Sequence, residues 1–187
     1  DANPASVLAS WVKTDWAVDP DHLAQLCEEL VVEVRPISDA LMFSEKPLFA
    51  EYENTDPLRD NIISQSLVAQ YLISSGMIDR GWIDEIPFMI SIALLSEIEA
   101  LDVDARYKRA LKLALVSCIV ESAANVRFGP EIYVVEGSGA YDVLGAFEEK
   151  IQTMVRDLIA VTEIDQPGQA VVLEGDSRVC DRVLWDE

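Results

Sequence analysis

The sequence predicts a mainly α protein: a helical bundle of about six helices with a minor β element, made from residues 131–135 and a C-terminal hairpin over 170–185. Three observations predict it. Apolar residues recur at spacings of three and four over most of the chain, the period of a half-buried helix. Two such stretches, one from about Ile83 or Pro87 to Leu101 and one from Asp102 to Val126, follow each other across a short turn and carry their few charges at their ends. Helices with so little polar surface are normally buried, so the pair should pack as an antiparallel hairpin and form the core. Finally, alternation is confined to short pieces near the C-terminal end, which suits a small sheet and nothing larger.

Taken in order, Ala5 to Trp16 forms a short helix after Pro4, with Val7, Leu8, Trp11 and Val12 on one side. Asp19 followed by Pro20 is a helix start with the proline at the first helical position, and Leu23, Leu26, Cys27, Leu30, Val31 and Val34 continue it at helical spacing. Arg35 precedes Pro36, which should end that helix and leave residues 37–44 as a separate short one. Residues 47–57 are aromatic and acidic and read as a loop. Leu58 to Ser75 reads as one helix that starts behind Asp56 and Pro57 and stops at Gly76. Its buried side should hold Ile62, Ile63, Leu67, Tyr71 and Leu72.

In the helix that follows Asp102, Tyr107, Leu111, Ala114, Leu115, Cys118 and Ser122 share one face, while Leu113, Val116, Val120 and Ala123 form a second apolar face beside it. Arg127 to Pro130 is a break, and Glu131 to Val135 a short strand. A helix from about Ala140 to Thr162 places Tyr141, Leu144, Phe147, Ile151, Met154, Val155 and Leu158 inward. Ala170 to Leu173, a turn at Glu174 to Ser177, and Arg178 to Trp185 make the C-terminal hairpin. At 187 residues the chain suits one mostly helical domain over 1–187, with 166–187 read as a hairpin appendage.

The charge belongs to the surface. A net charge of -20 accompanies 50% hydrophobic residues and a mean hydropathy of +0.16, whereas disordered chains join high charge to low hydrophobicity. Residues 1–60 carry 13 acids and 4 bases, residues 61–126 carry 8 and 5, and residues 127–187 carry 13 and 5, so the central third is nearly neutral. Nucleic acid and anionic membranes would be repelled by such a surface, so neither is an expected partner. Gln65 to Ile78 has the outline of a helix-turn-helix, but Asp79, Asp84 and Glu85 behind it would face phosphate, which argues against DNA reading.

No run reaches the length of uncharged apolar residues that a membrane span requires. Cys27, Cys118 and Cys180 are far apart with no CxxC pair and only one histidine beside them, so no structural zinc site is expected. Cys118 reads as a core thiol, which points to a reducing, cytoplasmic setting.

Few constellations carry chemistry. Asp19, Asp21 and His22 are the only cluster of a histidine with carboxylates, and helix capping accounts for them without a metal. The Gly137 to Asp142 turn resembles a phosphate cradle at a helix start, but Glu136 and Asp142 flank it with negative charge, and neither a third fingerprint glycine nor a following Lys-Ser or Lys-Thr is present. No calcium loop occurs, and neither a metal nor any other cofactor is expected.

The function expected from these features is that of a non-enzymatic protein-binding protein, an inhibitor, immunity-type or adaptor protein that meets a basic protein partner through acidic and aromatic surface. The candidate contact is the loop residues Phe49, Glu51, Tyr52, Glu53 and Asp56, and Trp16, Tyr52, Trp82 or Trp185 would serve as anchors. The alternatives are a small hydrolase or transferase using carboxylates near Asp19, Asp21 and His22 or the Gly137 to Asp142 turn, and a structural subunit of a homo-oligomer assembled through the hairpin edge.

Overall fold

The computed structural model describes residues 3–43, 57–128, 130–135, 141–162, 164 and 170–176. Within them lie seven α-helices and one two-stranded antiparallel sheet, the mainly α architecture with a minor β element that the sequence predicts. The helices are α1 (Pro4–Thr14), α2 (Pro20–Phe43), α3 (Pro57–Gln65), α4 (Leu67–Ser74), α5 (Glu85–Ala100), α6 (Ala105–Cys118) and α7 (Val143–Thr162). A π-helical turn, Ile119–Ala123, continues α6. Strands β1 (Val126–Phe128) and β2 (Ile132–Val134) complete the set.

α5 is the element around which the rest is arranged. Every residue from Pro87 to Leu94 is buried, because the helix has almost no polar side to show to water. α2, α6 and α7 pack on it, α7 also packs on both α2 and α6, α1 packs on α6, and α3 on α5. The two oily helices do meet, joined by residues 101–104, as expected. The second of them is less buried than its sequence suggests: α6 hides Ala110, Leu111, Ala114, Leu115 and Cys118, while Val116 and Val120 on the predicted second face are exposed. Apolar character on both sides of α6 exceeds what its neighbours can cover, since α5 and α7 already occupy its inner face.

α2 corrects the expected stop at Pro36. It runs unbroken from Pro20 to Phe43, with the proline inside it, so 37–43 is no separate helix. Val34, Ser38 and Leu41 continue the buried stripe of Leu23, Leu26, Leu30 and Val31, so one face of packing spans the proline. Pro36 is on the opposite, exposed side, beside an exposed Val32 whose carbonyl loses its helical partner where water can replace it. Packing of a continuous apolar stripe outweighs the local penalty.

The stretch 58–75 departs from expectation in the other direction. Ser66 adopts an extended backbone, its hydroxyl accepts a hydrogen bond from Ala69 N–H at 3.2 Å, and the chain restarts there as α4. Such a cap stabilises the new start by about 1 kcal/mol. The break resets the helical phase: Leu67 and Tyr71, expected inside, are 81% and 71% exposed, and Ala69 is buried instead. Gly76 stops α4 as predicted. Its φ of 78° lets Met77 N–H reach Leu72 O and its own N–H reach Ile73 O, and Gly81 at φ 67° repeats the arrangement with Trp82 N–H on Met77 O and Gly81 N–H on Ile78 O. Asp56, the expected cap of α3, lies outside the described residues.

Residues 126–128 form a strand where a break was expected. β1 pairs with β2 in the register Val126↔Val134, Arg127↔Tyr133, Phe128↔Ile132. Asn125, 9% exposed, ties this hairpin to the start of α5: its N–H donates to Trp82 O, its carbonyl accepts from Val135 N–H, and its side-chain amide donates to Asp84 Oδ1 at 2.9 Å. Residues 170–176 adopt no strand, and the remainder of the expected C-terminal hairpin, 177–185, lies outside the described residues.

Candidate functional site

Two features stand out once the helices are assembled, a cleft between α1, α6 and α7 and an acidic outer face on α2. The cleft has a volume of about 270 Å³ and is lined by apolar side chains that include Val12, Trp16, Ala110, Leu113, Met154 and Leu158, with Lys13, Asp15 and Asp157 at its edge. α1 supplies one wall because it starts cleanly, Asn3 accepting from Ala5 N–H at 2.9 Å with Pro4 at the first helical position, and ends at Asp15. Trp16 is fixed just beyond that end by its indole N–H, which donates to Lys13 O at 2.9 Å. α7 supplies the facing wall. Its first turn is held by Asp142, whose carboxylate accepts from Gly145 N–H at 2.9 Å.

Above the cleft sits a knot of charge. Asp15 lies 3.6 Å from the Arg109 guanidinium and 4.0 Å from that of Arg106, and Arg109 stands over the Trp11 ring at 5.4 Å. Arg106 also reaches Ala17 O and Asp104. Asp104 accepts Arg106 N–H as the N-cap of α6, and this bond, with the neighbouring guanidiniums, holds its carboxyl below the usual range.

Four further bases are engaged with the protein's own acceptors. Lys112 pairs with Glu99 at 2.5 Å, Lys108 donates to Glu99 O, Lys150 pairs with Glu121, and Arg59 pairs with Glu85. Lys150 and Ser117 both donate to Glu121, which lowers its pKa. Each of these exposed pairs is worth little to stability. Their consequence is electrostatic: the charge of these bases is matched locally, and the excess of acids is left on other faces.

α2 shows where part of that excess lies. Asp21, Gln25, Glu28, Val32, Pro36 and Asp39 recur at spacings of three and four opposite the buried stripe, Glu29 and Glu33 flank them, and all eight are exposed, as is Arg35, while Pro20 and His22 at the start of the helix are half-buried. Gln25 bonds Glu29 within this face at 2.8 Å. Val32, 67% exposed, is an apolar side chain in the middle of an acidic stripe.

The residues singled out in the sequence distribute as follows. Asp19 accepts His22 N–H on Oδ1 at 2.8 Å, so it caps α2 as expected. His22 packs edge-on against Tyr107, ring centroids 4.7 Å apart, and the Tyr107 hydroxyl accepts Asp19 N–H at 3.3 Å, which docks the start of α2 on α6. Asp142 is a helix cap; residues 137–140 of the glycine turn lie outside the described residues, as do Phe49, Glu51, Tyr52, Glu53, Asp56 and Trp185. Among the described residues no three His, Cys, Asp or Glu side chains converge as a metal would require. Of the expected anchors, Trp16 reaches a cleft, and Trp82 stacks under Arg80 at 5.8 Å. The cleft itself escapes sequence reasoning, because its walls come from residues 12 to 161 on three helices, each of which reads locally as an ordinary apolar stripe.

Cys27 and Cys118 are free and buried. Burial, aided by the nearby Glu148 and Glu28, pushes the Cys27 thiol up from 9.0 to about 12, and burial pushes Cys118 up to about 11. Neither is a thiolate at neutral pH. Because the folded-state pKa exceeds the unfolded one, the stabilisation is fully present below about pH 9 and is lost as pH rises toward 12. Chemical denaturation at stepped pH should therefore show stability falling above pH 9 with a shallower fall in Cys27→Val, and iodoacetamide at neutral pH should label neither thiol until denaturant is added. Rapid labelling of Cys27 in the native protein would contradict the buried environment.

No family model, no curated protein and no solved structure matches this chain. Among the described residues no helix is long and apolar enough to cross a membrane.

Proposed function

We propose that this chain is a non-enzymatic protein-binding protein, of inhibitor, immunity or adaptor type, that engages a basic protein partner through an acidic surface centred on the outer face of α2. The observation that carries this reading is the asymmetry of charge: Arg59, Arg106, Lys108, Arg109, Lys112 and Lys150 are matched to the protein's own carboxylates and carbonyls, while Asp21, Glu28, Glu29, Glu33 and Asp39, against the single base Arg35, present their charge outward from one helix. Such a face accelerates encounter with a basic surface and discriminates against acidic ones. Val32 adds an apolar contact at its centre, surrounded by polar groups in the manner of an interface anchor. The segment 47–57, which comes after α2 in the sequence, is likewise acidic and aromatic. Two buried thiols support a reducing compartment as the setting.

The test compares two charge-reversed proteins of equal net charge. Glu28→Lys/Glu29→Lys/Glu33→Lys alters the face, and Asp79→Lys/Asp102→Lys/Glu131→Lys alters exposed acids elsewhere. Partners captured by cross-linking are identified at about 50 mM and about 500 mM salt, where screening differs several-fold. A partner lost with the first variant, kept with the second and weakened by salt supports the proposal. Equal loss with both variants, or capture indifferent to salt, removes it.

A further inference from the structure

The cleft between α1, α6 and α7 is separate from the acidic face, and its chemistry specifies a different kind of ligand. Its interior offers no free hydrogen-bonding group from the polar residues around it: the Trp16 indole N–H is satisfied by Lys13 O, and the Asp15 carboxylate is drawn to Arg106 and Arg109. At the rim, Lys13 and Asp157 are exposed, and among the described residues neither forms an ion pair. Lys13 and Asp157, together with the Asp15 carboxylate and the Arg106 and Arg109 guanidiniums drawn to it, put charge of both signs around the mouth, so a ligand bearing net charge meets attraction and repulsion together, whereas a neutral one leaves these groups hydrated. Ala110 is a small, buried lining residue whose enlargement would take up space in the cleft, and Met154 is an adaptable lining residue. The volume, about 270 Å³, is just below the range of pockets that hold drug-sized molecules, roughly 300 to 1,000 Å³.

We infer that this cleft is a binding site for a small, neutral, apolar molecule, of the size of two or three aromatic rings or a medium alkyl chain, seated against Trp16 and Met154. The driving force is removal of apolar surface from water on both sides, so binding is insensitive to salt.

The probe is N-phenyl-1-naphthylamine, a neutral naphthalene whose emission rises in apolar surroundings, titrated into the full chain. Saturable binding at one site is expected, with Kd on the order of 1 to 100 µM, as for ligands of this size. The sulfonated analogue with the same rings should bind at least tenfold more weakly. Filling the cleft with Ala110→Leu or, separately, Met154→Trp should weaken the neutral probe at least tenfold while the far-ultraviolet circular dichroism stays native. If Ala110→Leu fails to fold, Met154→Trp decides, since Met154 is half-buried and has space beside it. No saturable binding, equal affinity for the sulfonate, or affinity unchanged by a folded filled variant overturns the inference; the last result would place the probe on an exposed apolar patch such as Leu67 and Tyr71. These outcomes are independent of whether α2 binds a basic partner.

Discussion

Phe147→Ala should lower the free energy of unfolding by about 3–5 kcal/mol, the range for removing a buried aromatic side chain. Phe147 is fully buried on α7, between Leu144 and Ile151 on the stripe that faces α2, α5 and α6, so the space it leaves opens where four helices meet. Urea denaturation followed by circular dichroism measures the loss. The matched control is Leu67→Ala, which should change stability by no more than about 0.5 kcal/mol because Leu67 is 81% exposed. The pair also checks the break at Ser66. A continuous helix over 58–75 would have buried Leu67, and its truncation would then cost about 2 kcal/mol or more.

Pro36→Ala should stabilise the protein. Inside a helix, proline costs about 3 kcal/mol relative to alanine, because it lacks an N–H and crowds the preceding turn. Its restriction of the unfolded chain returns about 0.4–1 kcal/mol of that. Since α2 is helical on both sides of Pro36 and the residue faces outward, the substitution should restore the bond to Val32 O and raise stability by about 2 kcal/mol, seen as a higher urea midpoint at unchanged slope. A loss of stability instead would mean that Pro36 shapes how α2 lies on α5 and α7.

Legibility in the sequence followed the balance between local and distant forces. Asp19 with Pro20, Gly76, and the inward stripe Leu144, Phe147, Ile151, Val155 were readable because caps, positive-φ glycines and amphipathic periodicity act within one or two turns. Pro36 was misleading because its penalty is local and the packing that outweighs it comes from α5 and α7. The π-helical turn at Ile119–Ala123 was invisible to a period of 3.6. Ala124 N–H bonds Ile119 O, five residues back, and this shift keeps Ala123 inside while Val120 faces water. β1 was missed because three residues next to a glycine and a proline carry no strand period; they pair because Asn125 fixes the chain beside Trp82 and Asp84.

The chain by itself determined that the protein is helical, that α5 is buried and that acids cover the outside, because hydrophobic periodicity and composition depend on nothing beyond the residues themselves. Only the tertiary structure decided which acids are spent on internal partners and which stand free, and that a cleft exists at all. Asp15 meets Arg106 and Arg109 from ninety residues away, and Val12, Ala110 and Met154 become neighbours only when three helices pack. Charge neutralisation and cavity shape are properties of what touches across the fold, which no local spacing encodes.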